Sequence, residues 1–480
     1  MAYTGTDTGT GAGTGTGARA GTRSGTRSGT GTPTQPQAPP QPPSEPGSPC
    51  PGPRLLGMQH RSRQAGTRLT ARTGTTARTG TTARTGSTAR TRIPALAGIA
   101  VLSALSALAA LSLSGCAQEP PAAPTAQSSS PSAKPPPPPT REELRAAEAE
   151  AWVAAASTRE LAGSVIMATA PTTDAAQLHE LMTATGLGGF IIMGANVPGT
   201  PDELSALTAQ LTVDQDLPPL VGIDEEGGLV TRLPWDTLPG ADTLRAAPAA
   251  DAKAAFAERA AILSAAGVNV NFGVVADVTG SETSFIYPRT LGNTGADASP
   301  RVAAAVAGER GVVASTLKHF PGHGATPDDS HTAIPRADIS LDAWRADARL
   351  PFAAGIDAGA ELLMFGHLAY GAVSEKPASL APEWYEIARD DLGFEGVTVT
   401  DDLGMLRASG LPEYQDPTST TVAALNAGAD LALTVIGMDA AGATALVDGV
   451  TAAVESGALP EARLREAATR VVELRLLLAE

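Results

Sequence analysis

Residues 312–331 read VVASTLKHFPGHGATPDDSH. The apolar run Val312–Leu317 breaks into a Gly- and Pro-rich polar loop, the form in which a buried parallel strand delivers side chains to one face of a sheet. From Lys318 to His331 the loop holds three of the chain's six histidines, a lysine and the aspartates Asp328 and Asp329. Only Ser330 separates Asp329 from His331, so a carboxylate can engage one imidazole nitrogen and leave the other free, which is the core of a general acid/base. Two other readings stay open: a satisfied structural cluster, or a zinc site with His319, His323 and His331 as ligands.

Apolar runs of the same kind recur at Ser164–Ala168, Gly189–Met193, Pro219–Ile223, Val268–Val275, Glu361–Phe365, Gly396–Val399 and Ala429–Thr434. Ala-rich amphipathic segments fill the intervals, among them Thr200–Val213, Ala249–Ala266, Pro300–Arg310 and Thr420–Ala427. Eight strand–helix units argue for an α/β fold in the form of a single (β/α)8 TIM-like barrel, with its chemistry at the C-terminal strand ends. A doubly wound open sheet is the alternative. It would want a Gly-rich phosphate turn after the first strand, and Ala168–Thr173 has none. The barrel reading expects chemically able residues just past the runs. Asp224, Glu225 and Glu226 follow the third, Asp277 the fourth, Lys318 and His319 the fifth, His367 the sixth, and Asp401 and Asp402 the seventh. This clustering favours an enzyme over a binding or scaffold module.

The chain of 480 residues does not all read as folding sequence. Residues 1–92 are low in large apolar side chains and carry the short repeat TARTGT, TARTGT, TARTGS from Thr70, a composition expected to stay disordered. Met58 within it is a candidate true start. Arg72, Arg78, Arg84, Arg90 and Arg92 precede the uncharged run Ile93–Leu113, which leads into Ser114, Gly115 and Cys116. A basic flank, an apolar core and small residues make a secretory signal. The form LSGC resembles a bacterial lipoprotein signal, in which Cys116 would be lipidated and the mature chain held on the outer face of the cytoplasmic membrane. An uncleaved transmembrane anchor is the competing reading. Residues 117–140, rich in Pro, Ala and Ser, read as a tether, and 141–480 as the barrel domain.

Of 34 Lys and Arg and 50 Asp and Glu, 12 basic and two acidic residues lie up to Cys116, which leaves 22 and 48 beyond it and a net charge of −26. A nucleic-acid binder would not carry this balance, and no membrane contact is expected beyond the lipid anchor. Cys50 and Cys116 are the only cysteines, so the barrel domain has no disulfide, cysteine–zinc cluster or cysteine nucleophile.

At the seventh run, Thr398–Leu403 reads TVTDDL. Asp401 could attack an electrophilic carbon while the Asp329/His331 pair protonates the leaving group. Two such groups across one bond define retaining glycoside hydrolysis, although the acid is usually a second carboxylic acid. A His–Asp pair can substitute because the carboxylate holds the tautomer and favours the imidazolium. The alternatives are a helix-capping Asp401 before Leu403 and a solvated or supporting Asp402. Arg232, Arg289 and Lys318 offer cations and Asp224 an acceptor, a set suited to sugar hydroxyls.

KHFPGHG-x4-DSH at 318–331 resembles the signature of glycoside hydrolase family 3, in its β-N-acetylglucosaminidase branch. Gly222–Gly228 with Val230, Arg232 and Leu233 looks like the family's D-x-E-G-G-x-V-x-R-L segment, Val268–Phe272 through Asp277 and Val278 like its G-[IV]-N-x-N-F…D-V segment, and Asp401–Met405 like its D-D-L-x-M. The resemblance implies Asp401 as nucleophile and His331 as acid/base supported by Asp329. It implies Asp224, Arg232, Arg289, Lys318 and His319 as binders of a non-reducing GlcNAc, with no cofactor or metal. The implied protein is a monomeric exo-enzyme acting on peptidoglycan fragments or chitooligosaccharides. A phosphorylase on the same scaffold and a zinc-dependent hydrolase are the alternatives. Leu229 stands where the family usually has Arg, and Ala325 where it often has Asp.

Overall fold

The computed structural model describes residues 138–331 and 333–480; the low-complexity region, the signal segment with Cys116 and all but the end of the linker lie outside the described residues. Every one of the eight apolar runs overlaps a strand: β1 (Ile166–Ala168), β2 (Gly189–Ile192), β3 (Leu220–Ile223), β4 (Val270–Val275), β5 (Ala314–Phe320), β6 (Leu362–Phe365), β7 (Val397–Thr400) and β8 (Ala432–Thr434). Neighbours pair in parallel from β1 through β7 in chain order, and β8 pairs with β1. The remaining seam, β7 to β8, is a single bridge between Val399 and Leu431. The Leu433 N–H adds a bond to Thr400 Oγ1 at 3.0 Å. The result is a nearly closed parallel barrel of the TIM-like kind. An open doubly wound sheet would leave β1 and β8 apart.

Strand side chains alternate between faces, and the inward set forms one apolar cluster that includes Met167, Ile191, Phe272, Ala314, Met364, Val397 and Val399. Two residues beyond Thr316 on the same face comes Lys318, and two beyond Val399 comes Asp401, so the alternation that fills the barrel also aims these groups into its mouth. The outward residues Ile166, Phe190, Val221 and Ile223 pack beneath the helices. Gly222 leaves room for the barrel-filling Phe272, whose ring would lie 2.7 Å from a Cβ at that position.

The expected helices are present at Pro201–Ala209, Ala249–Ala265, Gly295–Glu309 and Pro417–Ala427. Gly295–Glu309 starts five residues ahead of the expected Pro300 because the Thr294 side chain caps it through the Asp297 N–H. Two further helices precede β1, Arg141–Ala155 and Thr158–Ser164, each opened by a capping box, Thr140/Glu143 and Ser157/Glu160. Arg141–Ala155 packs on the last helix, Glu461–Ala479, burying Ala149 against Val472 and Leu476.

A buried carboxylate stands at the foot of the β7–β8 seam. Asp430 accepts from Arg389 at 2.6 Å, Arg463 at 3.0 Å and Arg470 at 3.1 Å, and from the Thr398 N–H and Oγ1 on β7 at 3.1 and 2.9 Å. The Arg336–Ala337 and Ala369–Tyr370 segments form a small parallel ribbon between the loops that follow β5 and β6.

Candidate active site

At the ends of β3 and β5 the charged residues interlock. Lys318 is buried, and its Nζ lies 3.1 Å from Asp224 Oδ1 and 2.6 Å from Glu226 Oε1. Arg232 Nη2 donates to Asp224 Oδ2 at 3.0 Å. Arg289 grips Glu226 with two parallel bonds, Nε to Oε2 at 3.0 Å and Nη2 to Oε1 at 2.7 Å. Burial works to raise both carboxyls. For Asp224 the Lys318 and Arg232 charges outweigh it, and for Glu226 those of Arg289 and Lys318 do, so both are held below the usual carboxylate range. Asp224, Arg232, Arg289 and Lys318 are thus brought together as the sequence anticipates. Glu226, the hub that joins Arg289 to Lys318, was not singled out.

The Asp224–Leu233 loop is shaped from beneath. Glu225 Oε2 accepts the Arg232 and Leu233 N–H groups at 2.8 and 3.1 Å, which turns Arg232 back toward Asp224. Asn271 on β4 clamps the Glu225 backbone, accepting its N–H at 3.1 Å and donating to its carbonyl at 3.0 Å. Asn271 Nδ2 also reaches Glu309 Oε1 at 2.6 Å. Burial pushes the carboxyls of Glu225 and Glu309 up to about 8. Gly227 has φ +82°, and a Cβ there would meet the Arg259 guanidinium at 2.2 Å, so this turn requires glycine. Leu229 projects from the turn as an apolar tip, 67% exposed. Ala325 packs against the core.

β5 extends through Phe320, which places Lys318 and His319 within the strand rather than in the loop after it. The peptide bonds Lys318–His319 and Phe320–Pro321 are cis. Asp277, fully buried past β4, collects this segment. It accepts the His319 N–H at 3.2 Å, His319 Nδ1 at 2.7 Å and the His323 N–H at 2.5 Å. Burial would raise its pKa, but His319 and His323 together outweigh that and lower it. Arg289 Nη2 lies 3.4 Å from His319 Nε2. A guanidinium can only donate, so this contact is a hydrogen bond only in the tautomer that carries the ring proton on Nδ1, facing Asp277.

Just past β7, Asp401 donates its N–H to the Phe365 carbonyl at 2.9 Å. Burial opposes ionisation of its carboxyl, yet His319, His367, the Asp402 N–H and Lys318 together hold it below the usual range. The helix-capping role that the sequence allowed for Asp401 falls to Asp402. Its Oδ1 accepts the Gly404 and Val435 N–H groups at 2.8 and 2.7 Å, and its Oδ2 the Ile436 N–H at 3.0 Å. Asp402 is therefore buried and not solvated. His367 stands behind it, with Nε2 on the Asp402 carbonyl and Nδ1 on Ser379 Oγ, both at 2.8 Å.

Asp329 and His331 form the anticipated pair: Asp329 Oδ1 lies 2.5 Å from His331 Nδ1 and accepts the His331 N–H at 3.0 Å. Both side chains are about half exposed, and neither bonds to Asp401 or to the Asp224–Lys318 cluster. His319, His323 and His331 are not gathered around a common point. His319 uses both ring nitrogens, His323 Nε2 faces Ser330 Oγ at 2.8 Å, and His331 turns to Asp329. Among the described residues no group of three or more His, Cys, Asp or Glu is arranged to hold a metal ion.

Residues 156–474 match the family described as "Glycosyl hydrolase family 3 N terminal domain". The chain is 35% identical over 280 residues to a beta-hexosaminidase of Stenotrophomonas maltophilia strain K279a, covering 54% of this chain and 79% of that protein. Its fold is similar to a family 3 beta-N-acetylglucosaminidase of Paenibacillus sp. strain FPU-7, with TM-score 0.63 and 31% identity over 68% of this chain and 64% of that one. It is also similar to a beta-N-acetylhexosaminidase of Beutenbergia cavernae, with TM-score 0.60 and 28% identity over 67% of this chain and 98% of that one. With the barrel, the strand-end carboxylate and the interlocked polar cluster in place, the chain belongs to glycosyl hydrolase family 3 and is a glycoside hydrolase.

Proposed function

We propose that this chain is a retaining exo-β-N-acetylglucosaminidase that releases terminal β-linked GlcNAc from peptidoglycan fragments or chitooligosaccharides. The hexosaminidase relatives make it a glycoside hydrolase of the β-N-acetylhexosaminidase type. The observation that carries the mechanism is the buried Asp401 carboxylate just past the end of β7, whose Oδ1 accepts the Asp402 N–H and which His319, His367 and Lys318 help to hold below the usual range. Asp224, Arg232, Lys318, His319 and Arg289 hold the sugar hydroxyls, with Glu226 fixing two of the cations.

Asp401 attacks the anomeric carbon as the glycosidic bond breaks. The leaving oxygen takes a proton from His331 Nε2, while Asp329 keeps Nδ1–H in place. Water then attacks the glycosyl–Asp401 ester, gives its proton to His331 Nε2 and frees GlcNAc. The dyad stands exposed on its loop, so closure over bound substrate is needed to bring it to the glycosidic oxygen. The protein acts as a monomer, exported and anchored through lipid on Cys116.

Hydrolysis of a panel of aryl β-glycosides, run in phosphate and in phosphate-free buffer, tests the reading. GlcNAc as the only sugar product, released with the free phenol, is expected from the GlcNAc glycosides in both. GlcNAc 1-phosphate would make the chain a phosphorylase, and preference for another sugar would overturn the substrate class.

A further inference from the structure

Ser330 is the inward-facing residue of the Asp329–His331 loop. Its neighbours present exposed side chains, whereas Ser330 is 3% exposed with its Oγ 2.8 Å from Nε2 of the buried His323. His323 is fixed from its other end, because its backbone N–H donates to Asp277, the same carboxylate that orients His319. Phe285, from the loop after β4, meets the His323 ring edge-on with centroids 4.6 Å apart, and the same Phe285 ring lies 6.4 Å from that of His331. His323 Nδ1 is buried without a partner. An apolar side chain would fill this space without that penalty, so packing alone does not account for an imidazole here.

We propose that His323 is a positioning residue for His331: by holding Ser330 it sets where the Asp329–His331 dyad stands relative to the glycosidic oxygen. This rests on the reading of His331 as acid/base. Burial pushes the His323 imidazole down to about 4, so it stays neutral near pH 7 and serves as a fixed strut. A displacement of about 1 Å in a proton donor is enough to cost roughly a hundredfold in rate.

The test compares kcat/KM, which reports the steps up to the glycosyl-enzyme, on two β-GlcNAc substrates in the full-length protein. One carries a 2,4-dinitrophenyl leaving group that needs no protonation; the other is an unactivated disaccharide that does. Ser330→Ala and His323→Leu are expected to lower kcat/KM on the disaccharide about ten- to a hundredfold while leaving the activated glycoside within about twofold. His323→Gln, whose amide reaches toward Ser330 from near the Nε2 position, should recover most of the loss. The activated substrate reports folding, and Ser330→Ala decides the matter if His323→Leu does not fold. If Ser330→Ala affects both substrates alike or neither, while His331→Ala is selective for the disaccharide, the positioning role is wrong and the acid/base reading stands. If His331→Ala is not selective, both fall.

Discussion

The N–H of Asp402 donates to Oδ1 of Asp401 at 2.8 Å, while the carboxylate of Asp402 turns away to bind three other N–H groups. Two adjacent aspartates thus divide two tasks. Asp401→Asn should lower kcat/KM about a thousandfold or more with an unchanged melting temperature, because an amide cannot form the glycosyl ester. Asp402→Ala should instead cost about 1 kcal/mol or more in stability through the lost cap. Paired kinetics and thermal melts check both, and an Asp401→Asn enzyme keeping a tenth of parental turnover contradicts the assignment.

Glu226 joins Arg289 and Lys318. Its loss leaves two buried cations without their shared partner, so Glu226→Ala should destabilise the fold by about 3–5 kcal/mol. Glu226→Gln keeps the shape but turns an NH2 toward one of the cations. It should raise KM for aryl GlcNAc substrates more than it lowers kcat. An unaltered KM would place the Glu226 cluster away from the sugar.

Glu309 gives a stability prediction with a definite sign. Burial raises its carboxyl from 4.5 to about 8, so the folded chain holds a proton that the unfolded chain releases. Its contribution is fully present below about 4.5 and is lost as pH rises through about 8. Glu309→Gln removes this dependence. Its melting temperature should match the parent near pH 4.5, exceed it increasingly up to pH 8 and hold a constant lead above that. A difference that does not vary with pH would contradict the buried neutral acid.

Chelation should leave activity unchanged. His319, His323 and His331 each face a different partner, so a zinc ion would have to break those hydrogen bonds to gather them. Loss of activity in EDTA with recovery on added zinc is the contrary result.

Lipid on Cys116 is checked by mass spectrometry of the N-terminal peptide from membrane fractions. A diacylglyceryl-cysteine N-terminus is expected. An N-terminus well upstream of Cys116 in the same fractions contradicts the lipoprotein reading.

Much of the barrel is legible because each strand is short and apolar and ends in polar residues; all eight runs became strands on that ground. Lys318 and Asp401 were legible for the same reason, since alternation along a strand decides which face a side chain takes. The role of Glu226 was not. Its contact with Arg289 spans 63 residues, and nothing in DEEGG says which of two adjacent glutamates faces a distant cation. Asp277 meets His319 across 42 residues and suffers the same blindness. The split between Asp401 and Asp402 depends on β8, whose following N–H groups claim one carboxylate. Spacing alone made Asp329 and His331 partners, but it carried no information on how far their loop stands from the barrel mouth.

The single bridge between β7 and β8 gives this cylinder a joint rather than a uniform wall. Asp430 fastens it at the foot and Asp402 at the rim, so two carboxylates reinforce the few backbone bonds that close it, from the Asp430 and Leu431 N–H groups to the Thr398 carbonyl and from the Thr400 N–H to the Leu431 carbonyl. Parting the barrel at that line would keep the strand order intact and separate only one pair of neighbours. Asp401 rides on the edge that would move, whereas Asp224 and Lys318 are anchored in the opposite arc. On the proposed assignment the nucleophile therefore stands beside the joint, and the groups that would hold the sugar stand away from it.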